Sequence, residues 1–270
     1  AAISGRDVLG RGKTGSGKTI AFSIPIVTKL ANGGSQPRKP NRPRALVLAP
    51  TRELADQIDR TLSQLAKSLG FYTTCVYGGV PQRRQEIAMQ RGVDILVATP
   101  GRLEDLMAQK IVDLRDVETL VIDEADHMLD LGFIVPIRQI VAKLAKNRQT
   151  LLFSATMPKE ISGLAVDMLR NPAEVSVTPV ATTAERVLQQ VFLVDSGAKR
   201  EVLLELLQGR EITKAIVFTR TKRGADRVAM HLENASVGAE AIHGNKSQPQ
   251  RERALADFKS GKIRILVATD

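Results

Sequence analysis

Two pairs of apolar runs, repeated at one spacing, constrain this chain most. ALVLAPTR begins at Ala45 and AIVFTRTK at Ala215, while ILVATP begins at Ile95 and ILVATD at Ile265, so both pairs are offset by 170 residues. Runs this rich in aliphatic and β-branched residues, without polar alternation, belong to strands buried on both faces, as in parallel sheets covered by helices. The full set of expected strands is RALVLAP, DILVATP, ETLVIDEAD and QTLLFSAT in the first part, then QQVFLVD, KAIVFTRT, GAEAIHG and RILVATD in the second. A short strand, RDVLG, precedes them. Amphipathic stretches of about ten to fifteen residues alternate with these runs, which is the layout of βαβ units. A third pair, Gly78–Gly79 and His243–Gly244, joins the repeat if a gap of about five residues is allowed, and a duplicated α/β domain is the expectation.

The pattern lapses over NPAEVSVTPVATTAERVLQQ, where two prolines and a Thr/Ala-rich stretch interrupt it. We therefore expect domains at 1–178 and 189–270 with a join at 179–188; a chain of 270 residues accommodates two such cores. ANGGSQPRKPNRPR, residues 31–44, reads as an exposed loop within the first domain. No apolar run approaches the roughly eighteen residues of a membrane span, and the opening AAISGRDVLG lacks a signal-peptide layout, so a soluble protein with no membrane partner is expected. The single cysteine, Cys75, excludes an internal disulfide, reads as a buried structural thiol, and suits a cytoplasmic location. Lysine and arginine total 39 against 29 acidic residues, which points to a polyanionic partner. With no Trp and 3% aromatics, phosphate contact is the expected mode rather than base stacking.

GKTGSGKT, Gly12 to Thr19, follows a short strand and opens the helix TIAFSIPIVTKL, the context of a phosphate-binding loop. Its glycines let backbone N–H groups close around phosphates at a helix N-terminus. Lys18 is placed to reach the β- and γ-phosphates, and the Thr19 hydroxyl to ligate Mg²⁺. LVIDEAD delivers carboxylates at the end of an apolar strand: Asp123 to hold the Mg²⁺ and Glu124 to orient or deprotonate the attacking water. His127 reads as a helix-surface or capping residue, His231 as helix surface, and His243 as either a turn residue or an interdomain contact.

TGSGKT, PTRELA (Pro50 to Ala55), GG (Gly78–Gly79), TPGR (Thr99 to Arg102), DEAD (Asp123 to Asp126) and SAT (Ser154 to Thr156) occur in that order. This series resembles the first core domain of DEAD-box ATP-dependent RNA helicases. IVFTRTK, HGNKSQPQR and LVATD resemble the start of its second. The resemblance implies two RecA-like α/β domains, the second incomplete, with ATP and Mg²⁺ as cofactors and RNA as partner, held mainly by its sugar-phosphate backbone. It implies that Thr14, Gly15, Ser16, Gly17, Lys18 and Thr19 bind ATP, that Asp270 faces the nucleotide, and that Ser154 and Thr156 couple ATP state to RNA. It places Pro50, Thr51, Arg52, Gly79, Thr99, Pro100, Gly101 and Arg102 on the RNA path, with Gln248, Arg251 and Thr269 from the second domain.

The family's upstream Gln motif and its downstream arginine-rich motif have no match in this sequence, and Gly12 stands where Ala is usual, a change expected to matter little. Loss of arginine-finger stabilisation costs on the order of 10³–10⁵ in rate, so slow hydrolysis and no unwinding are expected of these 270 residues alone. The function expected of the parent protein is ATP-dependent RNA unwinding. An ATP-gated RNA clamp would need the same grip and is the alternative.

Overall fold

The computed structural model describes residues 1–12, 15–34, 36–176, 188–208 and 212–269. Thr14, Asp270 and the join up to residue 187 lie outside the described residues. The chain divides into two compact units, 1–182 and 183–270.

Seven parallel strands form the first unit's sheet: β1 (Val8–Arg11), β2 (Ala45–Leu48), β3 (Thr73–Val76), β4 (Ile95–Ala98), β5 (Thr119–Ile122), β6 (Gln149–Ser154) and β7 (Ala173–Ser176). Their order is β3-β4-β2-β5-β6-β1-β7. All of β2, β4, β5 and β6 is buried, as strands without polar alternation require. Alternate residues feed two cores. Leu46, Leu48, Leu96, Leu120 and Ile122 meet α4 (Pro100–Ala108), α5 (Ala125–Asp130), α6 (Ile134–Val141) and α7 (Lys159–Met168) on one face. Val47, Ile95, Val97 and Val121 meet Phe22 and Ile26 of α1 (Lys18–Asn32) and Ile58 and Leu62 of α2 (Arg52–Ser68) on the other. Each such aliphatic side chain contributes about 1.5–3 kcal/mol by leaving water. The remaining helix, α3 (Gln82–Gln90), precedes β4.

The second unit contains α8 (Lys199–Gln208), β8 (Ala215–Thr219), α9 (Lys222–Asn234), β9 (Ala239–Ile242), α10 (Gln248–Ser260) and β10 (Ile265–Thr269). Its three parallel strands run β8-β10-β9. The repeat is therefore topological: β3-β4-β2 and β9-β10-β8 share one arrangement. It extends to register, since Ala45 pairs with Ile95 and Ala215 with Ile265. It extends to caps as well. The Thr51 hydroxyl accepts from Leu54 N–H and the Thr221 hydroxyl from Gly224 N–H, each starting its helix.

Three expectations need correction. QQVFLVD forms no strand; it has no pairing partner among the described residues, and Val191 and Leu193 are 87% and 96% exposed. An apolar run becomes a strand only beside an edge that accepts its hydrogen bonds. Conversely AEVS, taken as irregular, is β7, held by parallel pairing to β1. The loop 31–44 is not exposed throughout: Ala31 and Asn32 belong to α1, while Arg44 is buried and its Nε donates to Glu118 at 2.8 Å. His231 lies on α9 partly exposed, as expected of a helix-surface residue, although its Nε2 is itself buried. Cys75 is half-buried against the α2 core, and burial raises its thiol far above the ordinary range.

Candidate functional site

Because all strands of the first unit are parallel, every strand-to-helix loop emerges at one end of the sheet. Strand order then sorts the motifs. Loops after β1, β5 and β6 carry the phosphate-loop, DEAD and SAT residues; loops after β2, β3 and β4 carry PTRE, GG and TPGR. The two groups meet across the β2–β5 pair.

In the first group, Gly17 at φ 82° turns the chain into α1. Lys18 Nζ donates to the Gly12 carbonyl at 3.0 Å and lies 3.7 Å from Asp123 Oδ1. Gly12 N–H donates to the Ser154 carbonyl at 3.2 Å, tying the loop to β6. An added Cβ at Gly12 would stand 2.9 Å from Ser16 Oγ, so an alanine here needs only a hydroxyl to turn aside. Thr19 is half-buried in the first turn of α1. Asp123 is 2% exposed, and burial pushes its carboxyl up to about 6, with Lys18 opposing and Glu124 adding to the rise. A carboxylate desolvated beside a lysine is suited to a cation that replaces the lost hydration. Glu124 caps α5 from the left-handed region, φ 55° and ψ 54°. Its Oε2 lies 3.4 Å from the exposed His127 Nδ1.

Asp126, absent from the sequence-based site, joins DEAD to SAT. It receives Thr156 N–H at 2.8 Å and the Thr156 hydroxyl at 2.9 Å, while its own N–H donates to Ser154 Oγ at 3.2 Å. Burial acts to raise its carboxyl, but these donors outweigh it and hold the group below the usual range.

In the second group, Pro50 ends the β2 loop and Thr51 caps α2. Arg52 lies flat against the glycine pair. Gly79 has φ +79°, a backbone sign that favours glycine, and a Cβ there would displace the Arg52 guanidinium, the movable end of a long side chain. Thr99 is buried and its N–H donates to Val76 O; Pro100 opens α4, where its missing donor costs nothing. Gly101 is exposed. Arg102 keeps only 13% of its side chain exposed, its Nε stands 3.9 Å from Asp105, and its buried Nη1 has no partner among the described residues.

In the second unit, Gln248 is 3% exposed and donates to Glu252 at 3.1 Å beside a Ser247–Gln250 capping box. Arg251 is half-buried one turn along, and Thr269 ends β10. His243 is fixed as a turn residue. Its Nδ1 accepts from Asn245 N–H at 3.3 Å, which leaves the proton on Nε2, 3.0 Å from Asp226 Oδ1. Lys246 reaches the same oxygen at 2.9 Å. Sequence reading did not find this cluster, because Asp226 stands seventeen residues before His243.

The chain matches known proteins along its length. The sequence model of DEAD/DEAH box helicases covers residues 1–164, and that of the helicase conserved C-terminal domain covers 198–270. DEAD-box ATP-dependent RNA helicase 3B, chloroplastic, of Zea mays is 44% identical over 276 aligned residues, covering 100% of this chain and 36% of that protein. ATP-dependent RNA helicase dbp2 of Neurospora crassa is 43% identical, covering 100% and 49%. The chain thus spans half or less of the length of these curated relatives. Among solved structures, the yeast DEAD-box splicing factor Prp28 is 35% identical with a TM-score of 0.63, covering 98% of this chain and 62% of its own. A DEAD box protein from the hyperthermophile Methanococcus jannaschii is 34% identical with a TM-score of 0.57, covering 98% and 69%. With its motifs in order at one end of a parallel sheet and a family model matched over residues 1–164, the chain belongs to the DEAD/DEAH box helicases.

Proposed function

We propose that residues 1–270 belong to the core of an ATP-dependent RNA helicase, in which ATP binding and hydrolysis alter the grip on RNA. One observation carries this reading: the short DEAD segment contacts the phosphate loop at one end, Lys18 to Asp123, and the SAT residues at the other, Asp126 to Ser154 and Thr156. Phosphates arriving at Lys18 would draw it from the Gly12 carbonyl, and the change would reach Thr156 through the DEAD segment. Thr14 to Thr19 bind the phosphates and Asp270 faces the nucleotide in this scheme. Thr19 and Asp123 would hold Mg²⁺, which neutralises phosphate charge as the terminal bond breaks. Glu124 orients the attacking water and accepts its proton.

RNA would lie over the loops after β2, β3 and β4, contacting Pro50, Thr51, Arg52, Gly79 and Thr99 to Arg102, with Gln248, Arg251 and Thr269 contributing from the second domain. The buried, unpartnered Arg102 Nη1 supports an anionic ligand, because an unsatisfied buried donor costs about 1–3 kcal/mol. The division at residue 182 supports domains at 1–178 and 189–270. No helix among the described residues is long and apolar enough to cross a membrane, and the lone thiol supports a reducing, cytoplasmic setting.

RNA affinity measured with and without a nonhydrolysable ATP analogue tests the reading. Native protein should bind RNA more tightly with the analogue. Asp126→Asn should retain both ligands and lose the coupling; coupling that survives unchanged refutes this route. Strand displacement by the full-length protein, with Glu124→Gln as control, separates unwinding from clamping.

A further inference from the structure

The first unit's positive charge is concentrated at the end of the sheet opposite the motif loops. Seven segments lead into its seven strands, at 1–7, 33–44, 69–72, 91–94, 109–118, 142–148 and 169–172. They hold twelve lysines and arginines against five carboxylates, a net +7, while the remainder of residues 1–182 holds twelve against thirteen, a net −1. The charge that suggests a polyanionic partner therefore lies mostly away from PTRE and TPGR.

All five carboxylates are engaged locally. Asp113, Asp116 and Glu118 pair with Arg42 and Arg115, with Lys39, and with Arg44. Asp7 and Asp94 accept backbone N–H groups. Arg38, Arg91, Lys110, Lys143, Lys146 and Arg170 are exposed and have no carboxylate partner among the described residues. Lys110, Lys143 and Arg115 line one cleft of about 730 Å³. Burial and the neighbouring Arg170 both disfavour the charge on Arg148, a crowding of cations that an anion would relieve.

One feature separates nucleic acid from other polyanions. Arg38, which lines a second cleft of about 560 Å³, lies 3.8 Å above the ring of Tyr72, itself 57% exposed. A guanidinium stacked on an exposed ring offers a flat platform for a base. Acidic peptides and anionic lipid surfaces have no use for it.

We propose that this end of the first unit is a second RNA-binding face, which holds a flanking part of the RNA through its phosphates and one stacked base. The proposal rests on reading the chain as an RNA-binding protein. A strand of four to six residues separates the two ends by about 13–20 Å before loops are added, so an RNA held at both ends must pass around the flank of the unit.

Fluorescence anisotropy with oligouridines of about 8 and about 40 nucleotides, over a salt series, tests it. In the variant carrying Lys143→Glu, Lys146→Glu and Arg170→Glu, the salt slope for the long strand should fall by about 2, near 0.7 per lost contact. Binding of the short strand and of ATP analogue should stay unchanged. The corresponding glutamine variant should show the same direction, and it replaces the first if nucleotide binding is lost. An unchanged long-strand slope in a nucleotide-binding variant overturns the proposal. So does displacement of long RNA by polyglutamate as effective as by unlabelled RNA, which would assign the face to an acidic protein. Arg102→Ala should weaken the short strand; a native chain that fails to bind it counts against the RNA reading of the motif end, independently of the slope.

Discussion

β2 and β8 are the same strand twice, yet they live in different surroundings. Leu46 and Leu48 are fully buried, whereas Ile216 and Phe218, 170 residues later at the same register positions, are 51% and 66% exposed. The flanking features agree closely: a threonine cap follows each strand, then a basic residue, Arg52 or Lys222, and Ala55 and Ala225 are each fully buried. The difference lies in the neighbours. β5 pairs with the far edge of β2, and α4 and α6 cover Leu46 and Leu48; among the described residues no strand pairs with the far edge of β8. Local sequence thus sets strand, register and cap, while burial is decided by elements distant in the chain.

Substitution of twin positions should expose this most strongly. Leu46→Ala should cost about 2–5 kcal/mol, as truncation in a closed core does, whereas Ile216→Ala should stay within about 0.5 kcal/mol, as at a surface. Hydrogen exchange under rising denaturant, read strand by strand, would measure both. Equal losses would mean that Ile216 is covered in solution.

The glycine turns form the next contrast. Gly79→Ala should cost about 1–2 kcal/mol from its left-handed backbone alone, displace Arg52 and weaken short-strand RNA binding. A Cβ at Gly244 would meet Lys222 Nζ at an ordinary 3.5 Å, so Gly244→Ala should leave stability unchanged. A smaller effect is expected where the twins agree. Thr51→Ala and Thr221→Ala should each lose about 1 kcal/mol, and a clear inequality would show that only one cap matters.

The smallest effect concerns pH. Lys246, and then His243, hold the Asp226 carboxyl below its ordinary range. A depressed carboxylate stabilises the fold above its unfolded pKa, and that contribution fades as pH falls through the lower folded value. Unfolding of the second unit should therefore lose stability in acid, and Asp226→Asn should flatten that dependence. An unaltered profile would dissociate the Asp226 cluster from the fold's stability.

The same contrast explains what the sequence could reveal. Buried strands such as Ala45–Leu48 and Ile95–Ala98 announce themselves because both faces need apolar residues. QQVFLVD looked alike and misled, since nothing local says whether an edge awaits it. β7 was missed for the opposite reason: AEVS is mostly exposed, and parallel pairing with β1 makes it a strand. In the site, Lys18 and Thr19 were legible because a phosphate loop fixes their spacing, and Asp123 because it stands at the end of a buried apolar strand. Asp126 and Arg44 were not, because their roles depend on partners 30 and 74 residues away.

Glu124 carries one more consequence. A residue with a side chain held at φ 55° and ψ 54° spends about 1–2 kcal/mol on backbone conformation that glycine would adopt freely. Stability engineering that scored only folding would place glycine there, and the resulting protein would be hardier but would lack the carboxylate to which we assign the attacking water. A heat-selected library of this chain should accordingly drift at position 124 away from the glutamate we propose as the water-orienting residue.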